Sequence, residues 1–194
     1  MSVERIQQHF RDSAAVKLEA LEALAMPIAA AVDTMFAALA NGNKIIACGQ
    51  GGSAAGAQHF AAALIDRFER ERPGLPALAL SADAAVLCHP DDESFDQVFA
   101  KQVRALGQPG DVLLAITASG NAATVLAAID DAHEREMVVV ALTGGDGGRV
   151  TDVLTDTDIP VCVPSTRTAR IHEVHLLTIH CLCDGIDAML LGDD

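Results

Sequence analysis

The sequence predicts an α/β protein built on a doubly wound parallel sheet of about five strands. Three observations predict it. Short apolar runs recur between residues 44 and 163, and helical stretches follow them, so strand and helix alternate. The runs KIIAC, ALAL, DVLLAI, MVVVAL and DIPVCV lack the polar alternation of a half-exposed strand, as strands covered on both faces do. Apolar residues make up 51% of the 194 residues and aromatics only 3%, with no Trp and no Tyr. Burial must then come from Ala, Val, Leu and Ile, which suit helices packed on a parallel sheet.

The elements follow in order. Residues 1–40 read as helical, because Val3, Ile6, Phe10, Ala14, Leu18, Leu21, Leu24 and Ala25 recur at helical spacing. Pro27 breaks or kinks this run, so an N-terminal helical pair is expected, stopped by Asn41-Gly42-Asn43. The apolar stripe of the pair is left over by the sheet, and a second copy of the chain is the natural place to pack it. Residues 41–194 form the α/β unit. Strands are expected at 44–48, 77–80, 111–116, 137–142 and 158–163. Helices are expected near 53–69, 93–106, 121–135, 147–154 and 168–191. The β-α-β order implies right-handed crossovers and a parallel sheet.

Composition narrows the function. The formal net charge is −14, which argues against direct nucleic-acid binding, since phosphate backbones attract basic surfaces. It leaves room for a small phosphorylated ligand, which backbone amides and hydroxyls hold locally. Five cysteines, an odd number with no C-x-x-C, sit mostly inside apolar runs and read as reduced, buried thiols. The polar start MSVERIQQHFRDS shows no signal peptide and the apolar runs fall short of a membrane span, so a cytoplasmic location and no membrane partner are expected.

Three motifs carry chemistry. Cys48-Gly49-Gln50-Gly51-Gly52-Ser53 follows strand KIIAC directly. Glycines let backbone approach an anion, the next helix offers free N–H groups, and Ser53 can both cap that helix and bond a ligand. The pattern lacks the Walker lysine and the acidic residue of a dinucleotide site. Without a ligand it is a tight strand-to-helix turn. Thr117-Ala118-Ser119-Gly120-Asn121 repeats the geometry after strand DVLLAI, where helix capping is the plainer role. A third turn, Thr143-Gly144-Gly145-Asp146-Gly147-Gly148, reads as a glycine-rich connection. His172, Glu173, His175 and His180 lie on the last long helix, and His59 lies on the helix after the glycine loop. Imidazoles suit proton transfer and zinc, although a core or capping histidine is commoner. Arg67-Phe68-Glu69-Arg70-Glu71-Arg72-Pro73 reads as a solvated helix end with local ion pairs.

The blocks CGQGGSAAGAQHFAAALIDRFERERPGLPALAL, QVRALGQPGDVLLAITASGN, MVVVALTGGDGG and ARIHEVHLLTIHCLCDGID occur in that order. Together they resemble bacterial phosphoheptose isomerases and, equally, their sister group, the DnaA initiator-associating proteins. The resemblance spans nearly the whole chain. It implies a sugar isomerase (SIS) fold and a homotetramer with sites where subunits meet. Its activity interconverts sedoheptulose 7-phosphate and D-glycero-D-manno-heptose 7-phosphate for the lipopolysaccharide core, and some members carry zinc. The sister group implies a replication initiator as partner instead. By the resemblance, Gly51, Gly52 and Ser53 line the sugar-phosphate site, while Thr117, Ala118, Ser119 and Asn121 belong to the phosphate loop. Asp91 or Asp92 matches a substrate-contacting acid. His59 and His180 match metal positions, and His180 matches the catalytic histidine. His172 stands where the isomerases have a glutamine in the site.

The departures matter as much. The isomerases carry a glutamate four residues beyond the matched histidine, and Ala63 stands there. Gln50 replaces the usual asparagine, and Ala118 and Ala122 replace hydroxyl residues. The initiator-associating group also lacks the glutamate, but lacks a histidine at the place of His180 too. Brought together, His59, His172 and His180 would supply three imidazoles for zinc with an open fourth position. The sequence-based expectation is a phosphosugar-binding protein that is weakly or non-catalytic. The alternative is an active sedoheptulose 7-phosphate isomerase.

Overall fold

The computed structural model describes residues 2–81 and 95–192. Five parallel strands, β1 (Ile45–Gly49), β2 (Ala77–Ala79), β3 (Val112–Ile116), β4 (Val138–Gly144) and β5 (Ile159–Val163), lie in the order β2-β1-β3-β4-β5. The helices are α1 (Val3–Ala40), α2 (Gly52–Ile65), α3 (Val98–Leu106, preceded by a 3-10 turn at Phe95–Gln97), α4 (Ala123–Glu134), α5 (Val150–Val153) and α6 (Thr168–Leu191). The expected five-stranded doubly wound sheet is thus present. The expected helix at 147–154 shrinks to a single turn.

Strand side chains alternate between two cores. Ile45, Ala47, Val112, Leu114, Ile116, Val140 and Leu142 pack with residues of α1, α2 and α6. Ile46, Cys48, Leu113, Ala115, Val139 and Ala141 pack with α3, α4 and α5 on the other face. Every residue of β1 and β3 is buried, as central strands covered on both faces require. The N-terminal ends of β1 and β3 are pinned by Asp111. Its carboxylate accepts from Lys44 Nζ at 2.5 Å, from the Lys44 and Gln108 amides at 3.0 and 2.9 Å, and from Asn43 Nδ2 at 3.3 Å. Burial works to raise the carboxyl pKa, but these donors together hold it below its usual value.

The expected N-terminal helical pair is one continuous helix of 38 residues with Pro27 inside it. Proline removes the bond to the Ala23 carbonyl, but Ala20, Leu24, Ala31, Val32 and Met35 on both sides of it are buried in one core, which keeps the halves in register. The first half of α1 leaves Val3, Ile6, Phe10 and Leu18 exposed. By length and composition α1 and α6 are each apolar enough to cross a membrane, contrary to the expected shortfall. They pack on each other and on the sheet instead, and α1 carries charged residues along its length. The thiols also divide: Cys48 and Cys183 are buried and pushed up to about 12, mainly by burial, whereas Cys181 is exposed.

Candidate functional site

The strand order reverses between β1 and β3, and the helices that follow these two strands pack on opposite faces of the sheet. In open α/β sheets the crevice outside the carboxyl ends of such strands receives ligands. Here β1 runs into α2 and β3 runs into α4, so two helix N-termini with free N–H groups meet at one place. Between them lies a cavity of about 260 Å³ lined by Gln50, Gly51, Ser53, Ile116, Thr117, Ala118, Ser119, Ala122, Thr168 and His172. A neighbouring cavity of about 300 Å³ shares Ser53, Ile116 and His172 and adds Gly52, Gly56, His59 and His175.

The structure therefore brings Gly51, Gly52, Ser53, Thr117, Ala118, Ser119 and His172 together. Ser53 is not the helix cap. Gly51 holds that position, and Ser53 lies one residue inside the first turn, only 3% exposed. Gly52 lets the loop and His172 sit close: a Cβ there would stand 3.1 Å from His172 Nε2. Gln50 Oε1 accepts from Thr124 Oγ1 at 3.2 Å, tying the first loop to the start of α4. Asn121 does not line the cavity. Its Nδ2 donates to Ser119 O at 2.8 Å and its Oδ1 accepts from Arg149 N at 3.1 Å, so the amide braces the loop. Asp91 and Asp92 lie outside the described residues.

The third glycine turn is more than a connection. Gly120 has φ +65°, and a Cβ on it would lie 1.8 Å from Gly147 O. The Val150 amide donates to Gly120 O at 3.0 Å. The turn after β4 thus buttresses the Thr117–Asn121 loop. Five glycines within Gly144–Gly148 and Gly120 were the available signal, and only their spatial neighbourhood reveals the role.

The histidines fall into two groups. His59 Nε2 and His180 Nε2 lie 3.1 Å apart, one donating and one accepting, and their rings meet nearly edge to face at 5.2 Å. Phe68 stacks on His180 with centroids 5.5 Å apart. One turn beyond His59, Ala63 is only 7% exposed. His172 faces the cavities with Ser53. His175 is 2% exposed, and its Nε2 lies 2.9 Å from the Thr143 carbonyl. A carbonyl only accepts, so Nε2 carries the proton. Burial lowers the His175 pKa to about 4, the bond to Thr143 works the other way, and His172 lowers it further. His175 is therefore a neutral anchor of α6 on the end of β4.

The zinc set expected from His59, His172 and His180 does not assemble within one chain. His172 precedes His180 by eight residues, roughly 12 Å along a helix axis, and lines a cavity that His180 does not. Among the described residues no group of three His, Cys, Asp or Glu side chains gathers. The His59–His180 pair offers two nitrogens, fewer than the three protein ligands of an open zinc site.

The SIS domain family matches residues 8–144. The chain is 62% identical to a phosphoheptose isomerase of Aromatoleum aromaticum over 191 residues, 98% of this chain and 96% of that one. The solved phosphoheptose isomerase from Neisseria gonorrhoeae superposes with a TM-score of 0.89 at 49% identity, covering 95% of this chain and 98% of that one. That from Francisella tularensis gives 0.92 at 45% identity, covering 96% and 98%. The expected fold and resemblance are borne out: the chain belongs to the phosphoheptose isomerase family of SIS-domain proteins.

Proposed function

We propose that this protein binds a sugar phosphate of the heptose 7-phosphate class and turns it over weakly or not at all. The observation that carries the reading is the single cavity in which Ser53, Thr117 and Ser119 meet two helix N-termini. Backbone amides, hydroxyls and aligned dipoles suit a phosphoryl group, and the adjoining cavity with His172 and His59 suits the sugar carbons.

Aldose–ketose isomerisation moves one proton between adjacent carbons through an enediol and another between the oxygens. It needs two positioned acid/base groups. His59 and His180 are imidazoles at hydrogen-bond distance, so each occupies a nitrogen of the other. Ala63 offers no group at all. Loss of a general base typically costs about 10²–10⁴-fold in rate.

A second reading is an active sedoheptulose 7-phosphate isomerase. The names of the 62%-identical relatives and the placement of His180 beside a second imidazole favour it. Incubation with sedoheptulose 7-phosphate, followed by detection of the aldose product, separates the two. The first reading predicts turnover at least about 100-fold below a glutamate-bearing relative assayed alongside. It also predicts that Ala63→Glu raises turnover tenfold or more. Turnover equal to the relative's overturns it.

Two further parts of the reading concern partners. Assembly of copies as a homotetramer is supported by apolar residues left outside the core, among them Phe10 at 75% and Met26 at 80% exposure, and by an apolar groove of about 510 Å³ between α1 and α6. Light scattering should give four times the chain mass. A replication initiator partner, which the sister group implies, belongs to the non-catalytic reading. Binding of purified initiator supports it, and no binding at tens of micromolar removes it.

A further inference from the structure

The segment that connects α2 to β2, residues 66–76, touches both helices that carry the imidazole pair, α2 and α6. Its Arg67 and Glu71 form the expected local ion pair. Arg72 does something else. Its side chain is 0% exposed, and its Nε donates at 2.5 Å to Asp187, whose side chain is 2% exposed. Its Nη2 donates to Ala63 O at 2.9 Å and its Nη1 to Leu64 O at 2.8 Å. Those carbonyls belong to the last turn of α2, which has no helical donors for them. One guanidinium therefore closes the end of α2 and grips α6 at the same time.

The position of Asp187 makes this consequential. It lies seven residues after His180, nearly two turns on, and so on the same side of α6. His59 lies one turn before Ala63 on α2. Phe68, from the same segment, stacks on the His180 ring. Arg70 adds a bond from its Nη1 to Gly192 O at the end of α6. A buried cation with a fixed fork of donors sets both the spacing and the rotation of two helices, which a hydrophobic contact alone does not.

We infer that Arg72, through Asp187 and the end of α2, is a positioning residue that fixes His59 against His180. The inference rests on the pairing of the two rings and not on turnover, so it stands apart from the proposal that the site is catalytically weak. A simple Arg72→Met variant strands a buried carboxylate and can fail to fold. The informative variant is the double change Arg72→Met/Asp187→Leu. Replacing a buried ion pair by apolar residues of similar volume is often neutral or stabilising.

The test uses full-length protein with labelled histidines and measures the nuclear Overhauser cross-peak between the carbon-bound ring protons of His59 and His180, assigned with His59→Gln and His180→Gln. Thermal melting is recorded on the same samples. The expected result is a double variant that melts within a few degrees of the parent while the cross-peak falls at least threefold. A folded double variant with the full cross-peak overturns the inference. Should the double variant not fold, Arg72→Lys serves. Its single ammonium keeps the charge pair but cannot also close both carbonyls. A weakened cross-peak is then expected, and an undiminished one overturns the inference. No cross-peak in the parent overturns it too, by removing the pairing itself, whereas failure of sugar-phosphate binding would leave it untouched.

Discussion

At position 63 a methyl group stands one helical turn beyond His59, where the resemblance implies a glutamate. The side chain is nearly buried, and its own carbonyl is held by Arg72. The backbone at this point is therefore set, and a carboxylate placed on it by Ala63→Glu would project from a fixed turn. His175 gives a second prediction at this scale. Its folded pKa, about 4, lies below the ordinary value near 6.5, because burial disfavours the charged ring. The unfolded chain then binds the proton more readily. Stability is unaffected above about pH 6.5 and falls as pH drops from there toward 4, by up to about 3 kcal/mol. Urea unfolding at pH 7, 6 and 5 should show this loss. In His175→Gln the loss over the same range should be smaller. Equal losses in the two proteins would contradict the assignment of His175 as a neutral buried anchor.

Elements show which parts of the site were legible in sequence. The two strand-to-helix loops were, because glycines and hydroxyls directly after two apolar runs mark strand-to-helix turns where an anion can be held. The buttress behind the second loop was not, because Gly120 and Gly147 meet only after β3 and β4 pair. Gly120→Ala should cost at least about 2 kcal/mol, from its positive φ and the contact with Gly147 O, and should weaken phosphate binding tenfold or more. A variant with parental stability and affinity would contradict the buttress. Pro27 misled in the other direction. Proline is a strong breaker in isolation, yet tertiary packing on both sides carries α1 through it. Pro27→Ala restores one backbone bond and should raise stability by about 1–3 kcal/mol in urea unfolding. A drop would mean that α1 needs the proline's geometry. The charged run before Pro73-Gly74 reads as a solvated helix end, yet the Arg72 side chain is buried. Its partner Asp187 lies 115 residues away and could be found only by folding the chain.

For the whole molecule, the alternation of short apolar runs and helices specified the sheet, and the sheet order set where a ligand can go. What the chain could not announce is which histidines meet. His59 and His180 pair, while His172, eight residues earlier on α6, lines both cavities beside Ser53. The strong negative charge likewise says nothing about a local site where Ser53 and Ser119 share one cavity with two helix N-termini. The most direct measurement of that site is calorimetric titration of the parent protein and of Ser53→Ala/Ser119→Ala with sedoheptulose 7-phosphate. The account predicts saturable one-to-one binding per chain in the parent and at least tenfold weaker binding in the double variant, with both proteins melting alike. No binding to the parent, or equal affinity in the two, would contradict it.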